Sequence, residues 1–223
     1  MKTNQKLNYR RGHKSIMFFL LANCIAFSTL AQKDKSDFRN ELSFGLKIGA
    51  NYSNVYNSSG EKFVADPKFG VAAGAFLTLP IGKYIGIQPE ILFSQKGFKA
   101  TGVLLGSTYE VSRTTSYIDL PIFLAIKPIE SITILAGPQF SYLLNQKDEY
   151  TNGKTTTQQQ QQFNNDNLRK NTVCFVAGID INIKATVIGL RAGWDVLNNN
   201  GDGTSTTPQY KNAWLQGTVG FRL

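Results

Sequence analysis

Along residues 117–144 aliphatic side chains recur at every second position. Ile118, Leu120, Ile122, Leu124 and Ile126 alternate with Tyr117, Asp119, Pro121, Phe123, Ala125 and Lys127. A two-residue period places the five aliphatics on one face of a strand. On a helix the same spacing would scatter them, and Pro121 would break the middle. After a break at residues 127–131, Ile132, Ile134, Ala136, Phe140, Tyr142 and Leu144 take one face, and Thr133, Gly137, Gln139 and Ser141 the other. The stretch predicts a hairpin with one apolar face and one polar-to-small face.

The same alternation recurs along the chain. Phe44, Leu46, Ile48, Ala50 and Tyr52 form one apolar set; Phe69, Val71, Ala73, Ala75, Leu77 and Leu79 the next; Ile85, Ile87, Ile91 and Phe93 a third. Beyond the central hairpin come Val173–Ile183, Ile188–Val196 and Ala213–Leu223, each with period two. This gives about eight strands and no useful helical periodicity. Short breaks at residues 80–83, 127–131 and 184–186 alternate with long polar connections at 55–67, 98–110, 145–171 and 198–211. Short turns on one rim and long loops on the other suit an outer-membrane barrel. The third long connection carries the glutamine run 158–162 and is expected to be exposed and flexible.

The alternate face is rich in Gly, Ser, Thr and Gln, with single charges at Lys47, Glu90, Asp119, Asp180, Arg191 and Arg222. It lacks the dense Lys/Glu pattern of a freely solvated surface. An eight-stranded barrel has an interior just wide enough for side chains, and small residues with paired charges suit that space. The aliphatic face then meets lipid, with Tyr52, Tyr142 and Trp194 at interfacial positions. The predicted fold is an all-β, up-and-down antiparallel transmembrane β-barrel. The alternative with the faces reversed is a soluble, lipocalin-like carrier of small molecules. Pro89, Pro121 and Pro138 stand against a closed barrel, which has no edge strand to host them, and are expected at bulges or ladder gaps.

The N-terminus changes the compartment. Lys2, Lys6, Arg10, Arg11 and Lys14 precede an apolar run from Ile16 to Leu30, and Thr29-Leu30-Ala31 precedes Gln32 as a small-x-small cleavage site. This is the layout of a secretory signal peptide over residues 1–31. A retained anchor would need a longer apolar run, about 20 residues, and a lipid-modified Cys24 is disfavoured by Asn23 before it. Residues 32–42 read as a short N-terminal segment and 43–223 as the barrel domain. Five of the 24 basic residues leave with the signal, so 19 face 15 acids and the net charge falls from +9 to +4. That balance removes nucleic acid as an implied partner. His13, the single histidine, leaves too, and Cys174 remains as a lone cysteine, a small packing residue with no disulfide partner.

Several phrases resemble one family. Ile87-Gln88-Pro89-Glu90-Ile91-Leu92-Phe93-Ser94-Gln95-Lys96-Gly97, then Tyr117-Ile118-Asp119-Leu120-Pro121, then Gly137-Pro138-Gln139-Phe140-Ser141-Tyr142-Leu143-Leu144 resemble ordered segments of the PorT-like outer-membrane β-barrel proteins of Bacteroidetes. Phe44-Gly45-Leu46-Lys47-Ile48-Gly49-Ala50-Asn51 is similar to their opening strand. The resemblance implies an integral outer-membrane barrel. One member class serves a secretion system that exports proteins across the outer membrane, and most members have no assigned activity. The chain departs in ending on Leu223 rather than an aromatic residue, with Phe221 two positions earlier on the same face.

Candidate chemistry is sparse. Lys47, Glu90, Lys96, Asp119, Asp180 and Arg191 are expected to form a structural ion-pair network in the lumen, since buried charges need partners whether or not chemistry occurs. Without a histidine in the mature chain there is no Ser/His/Asp or Cys/His machinery, so no enzymatic activity, cofactor or metal is expected. Asn198-Asn199-Asn200-Gly201-Asp202-Gly203 is similar to the start of a calcium loop, but Gln209 stands where a bidentate Glu is needed. The expected role is a structural or interaction barrel, an accessory in envelope transport or secretion. Its partners would be outer-membrane lipid and an envelope protein.

Overall fold

The computed structural model describes residues 37–56, 63–104, 107–151, 169–199 and 210–223. The expected signal peptide, the glutamine run and most of the calcium-like loop lie outside the described residues. Eight strands follow in order: β1 (Ser43–Tyr56), β2 (Phe63–Pro80), β3 (Ile85–Leu104), β4 (Ser107–Ile129), β5 (Ile132–Thr151), β6 (Asn171–Ile183), β7 (Thr186–Asp195) and β8 (Lys211–Arg222). Each pairs antiparallel with its neighbour, and β8 returns to β1, so the sheet closes into an up-and-down barrel. Closure pairs the backbone groups that an open edge would leave bare, which hydrocarbon does not tolerate.

The apolar alternation faces outward. Leu46, Ile48, Ile122 and Leu190 are each more than half exposed, while Lys47, Asp119 and Arg191 on the opposite face are buried. A soluble carrier needs the reverse distribution, so the lipocalin-like alternative is not favoured. Outward aromatics gather toward the loop end: Tyr52 against Phe69 at 4.8 Å and Phe175 against Trp194 at 5.3 Å, with Phe93 and Tyr142 on the same band. These are girdle positions.

The prolines sit at gaps in the ladder. Pairing between β3 and β4 lapses after Pro89↔Ile122 and resumes at Leu92↔Asp119, and between β4 and β5 it lapses after Pro121↔Gln139 and resumes at Leu124↔Ala136. The register is unchanged across both gaps, so the missing N–H costs ladder bonds locally without a bulge. Pro138 stays in an unbroken register with Phe175. The register shifts lie elsewhere, between Pro67 and Ala72, between Ser116 and Tyr117, and between Ile126 and Ile129.

The long connections are shorter than their polarity suggests. Residues 98–104 continue β3, 107–110 open β4, 145–151 extend β5, and 63–67 belong to β2. A strand that has left the bilayer no longer needs an aliphatic face. Its alternation fades while its hydrogen bonds persist, so polarity marks the membrane exit rather than the strand end. The sheet therefore rises beyond the girdle along β2–β5, whereas β6–β8, of 13, 10 and 12 residues, stop near it.

At the other rim the turns are tight, at residues 81–84, 130–131 and 184–185. A 3-10 turn, Phe38–Asn40, capped by the Asp37 side chain, lies against this end. Lys127 Nζ donates to Arg39 O at 3.0 Å, and the Arg222 guanidinium covers the Phe38 ring at 5.0 Å.

Candidate functional site

Inward-facing charges occupy two levels of the lumen. Nearer the short turns, Glu90 Oε1 accepts from Lys47 Nζ at 2.6 Å, from Gln88 Nε2 at 2.8 Å and from Arg191 Nη2 at 3.3 Å. Arg191 also grips Asp180 with both Nη atoms, at 2.6 and 3.2 Å. Two cations and two carboxylates thus neutralise one another on strands β1, β3, β6 and β7. Charge-assisted, forked pairing of this kind is what makes buried ions tolerable.

Lys96 and Asp119 do not join that network. They meet on β3 and β4, with Lys96 Nζ 3.1 Å from Asp119 Oδ2. The Lys96 ammonium also stands 3.7 Å over the Trp214 ring and 4.9 Å from the Tyr117 centroid. Ser94, between Glu90 and Lys96 on β3, accepts from Asn51 Nδ2, and Asn51 Oδ1 accepts from Gln216 Nε2, both at 2.9 Å. A neutral amide layer thus lies between the two charge levels. Asp195 accepts from the Cys174 thiol at 3.0 Å and from Asn212 Nδ2 at 2.6 Å, so Cys174 is a buried hydrogen-bonding residue.

Glycines give these side chains room. Arg191 lies across the ladder from Gly178, Asp180 from Gly189, and Lys47 from Gly74 and Gly220. A Cβ on Gly189 would meet Asp180 Oδ1 at 2.8 Å. Two inward aromatics follow the same rule: Phe76 is opposite Gly45, and Trp214 is opposite Gly193. Lys47 Nζ stands 5.1 Å over the Phe76 ring. Both levels thus contain a glycine, an aromatic ring on that glycine, and a lysine over the ring.

Sequence reasoning missed Phe76 and Trp214. They share parity with polar and glycine positions, and a bulky aromatic at that parity facing a glycine is the signal that could have found them. It also missed a third cluster, on the extended sheet. There Arg113 donates to Asp148 at 2.8 and 2.7 Å and to the Tyr210 hydroxyl at 2.9 Å, level with Phe98 and beneath Ala100 and Val111 of the same apolar cluster. These residues fell inside or beside stretches expected to be loops.

Two small cavities lie among the described residues, one at each end of the lumen. A cavity of about 10 Å³ lies by Phe38, Lys127 and Arg222, and another of about 10 Å³ by Tyr117, Thr172 and Tyr210. Each has room for about one water molecule. What the arrangement can do chemically is hold a narrow barrel rigid.

The family model described as outer membrane protein beta-barrel domain matches residues 30–197. No curated protein matches the sequence. Matching solved structures include Ail, the attachment invasion locus protein of Yersinia pestis, at 13% identity over 82% of this chain and 99% of that one, with a TM-score of 0.45. Neisserial surface protein A matches at 8% identity over 81% and 97%, with a TM-score of 0.45. The outer membrane protein OprG of Pseudomonas aeruginosa matches at 12% identity over 84% and 99%, with a TM-score of 0.44.

Proposed function

The chain belongs to the outer membrane protein beta-barrel domain family, and we propose that within the outer membrane it acts as a non-enzymatic interaction barrel of the PorT-like type, an accessory in envelope transport or secretion. The observation that carries this reading is the filled lumen. Lys47, Glu90, Asp180 and Arg191 close one level and Lys96, Asp119 and Trp214 the next. Side chains that spend their charges on each other leave no wide aqueous path. Function then falls to the outer surfaces and to the sheet that rises beyond the girdle, placed on the extracellular side because long connections lie there in barrels of this kind.

The test is recovery from native membranes under mild detergent, followed by planar-bilayer recording of the purified barrel. An envelope protein that co-purifies in fixed ratio, together with a silent bilayer, is the expected result. A barrel recovered alone that conducts in steady unit steps would overturn the reading.

A further inference from the structure

Three lysines on the extended sheet point away from the lumen and converge. Lys68 Nζ donates to Ser112 Oγ at 2.8 Å and to Thr114 Oγ1 at 2.6 Å. Across the ladder Lys99 is opposite Ser112, and Lys147 is opposite Thr114. The two hydroxyls that hold Lys68 are thus flanked by two further ammonium groups on strands about 4.8 Å apart. Burial lowers the Lys68 ammonium below the usual lysine range, with Lys99 and Lys147 adding to the effect and Glu149 opposing it. Acids share the patch: Glu149, 2.6 Å from Lys147, Asp66, opposite Lys99, and Glu110, two residues from Ser112 on the same face of β4.

The depth of this patch is set by the aromatic band. Phe93, Ile118 and Tyr142 share one row of the ladder, and Thr114 and Lys147 lie four to five residues farther out. At about 3.3 Å per residue and a strand tilt of about 40°, that places Thr114 and Lys147 roughly 10 Å above the girdle, and Lys68, next to Phe69 in β2, reaches them with its side chain. The headgroup layer begins at the girdle, and flexible lysine stems reach back toward it.

We propose that Lys68, Lys99 and Lys147 form a clamp for the phosphate of a lipid headgroup in the outer leaflet. The inference rests on the membrane placement of the preceding subsection. Two of the three Lys68 N–H donors are fixed by hydroxyls, so its ammonium is already ordered when a phosphate arrives, and less conformational freedom is lost on binding. Glu149 holds Lys147 in the same way but also opposes the incoming anion.

The clamp is tested on the refolded full chain in detergent, first shown to shift on a gel between unboiled and boiled samples. Binding is measured for diphosphoryl lipid A, its dephosphorylated form and inorganic phosphate. Diphosphoryl lipid A is expected to bind, with each lysine contributing about fivefold near an anionic surface. Lys68→Gln, Lys99→Gln and Lys147→Gln together should therefore weaken it by about a hundredfold. Glu149→Gln should strengthen it by a few fold, which a variant that merely loosened the sheet would not do. Equal binding of the dephosphorylated lipid, or of the triple variant, would overturn the clamp while leaving the barrel in the membrane. Stronger competition by free inorganic phosphate than by the lipid would overturn the lipid as its source. A chain that shows no heat-dependent shift would remove the membrane placement and the clamp with it.

Discussion

The two charged levels of the lumen solve one problem in different ways. Near the short turns, Glu90 serves three donors at once, and its carboxylate joins Lys47 to Arg191 and so to Asp180. Nearer the loops, Lys96 has one carboxylate, Asp119, and two aromatic faces. The first level depends on a shared ion and the second on a shared surface. Compensation concentrated on one carboxylate should be brittle, and compensation spread over a ring and an ion should be tolerant.

The largest effect is expected at the shared ion. Glu90→Gln leaves Lys47 and Arg191 buried without the carboxylate they divide, and breaking a buried pair of this kind costs about 3 kcal/mol. The midpoint of urea unfolding of the refolded barrel should fall accordingly. Adding Lys47→Met removes one stranded cation and should recover part of the loss. A single variant as stable as the parent would show that Glu90 is not the hub.

Next in size is the surface under Lys96. A Cβ on Gly193 would collide with the Trp214 ring, so Gly193→Ala must push the indole off its seat. Overpacking costs about 2 kcal/mol, and the cation loses part of its partner. Fluorescence in a Trp194→Phe background reports Trp214 alone and should shift. An unmoved emission spectrum would mean that the ring does not depend on this glycine.

Asp119→Asn should cost less, about 1 kcal/mol, because a desolvated cation–π contact of up to about 2 kcal/mol remains to hold Lys96. The comparison sharpens in the double variant. Removing Asp119 in the Gly193→Ala background should cost more than in the parent, since the two supports back each other. Strict additivity would show that the ring and the carboxylate act independently.

Much of this was legible in the chain. Period two gave the strand faces of all eight strands, because a lipid-facing surface tolerates few polar residues and a packed lumen few large aliphatics. The residues for the charge network could be read from the inner face, but not their division into levels. Lys96 and Glu90 are six positions apart on β3 and share parity, and only the register with β4 and the barrel closure that brings β1 and β7 across the lumen tell which partners each one meets. Trp214 and Phe76 were hidden for the opposite reason: apolar residues at inward parity look like lapses in the pattern until the facing glycine is known. Arg113, Asp148 and Lys99 lay on strands whose aliphatic alternation had already ended, so polarity masked the continuing ladder.

The smallest effect belongs to the outer face, and it tests the contrast on which both levels depend. Ile122 is 57% exposed and sits one residue from Pro121 and Phe123, both buried in the lumen. If lipid surrounds it, Ile122→Leu exchanges one aliphatic for another of equal volume against a fluid neighbour. No jigsaw packing is broken, so the change in stability should stay within about 0.5 kcal/mol. Ile122→Arg places a charge on the lipid face instead. At the bilayer midplane that costs about 2–4 kcal/mol and falls toward zero at the interfaces. The penalty measured in folding into bilayers therefore reports the depth of Ile122, and it should shrink when the same barrel is folded in detergent micelles. An equal penalty in both media would mean that residue 122 meets protein rather than lipid, and the face assignment would then be wrong for β4.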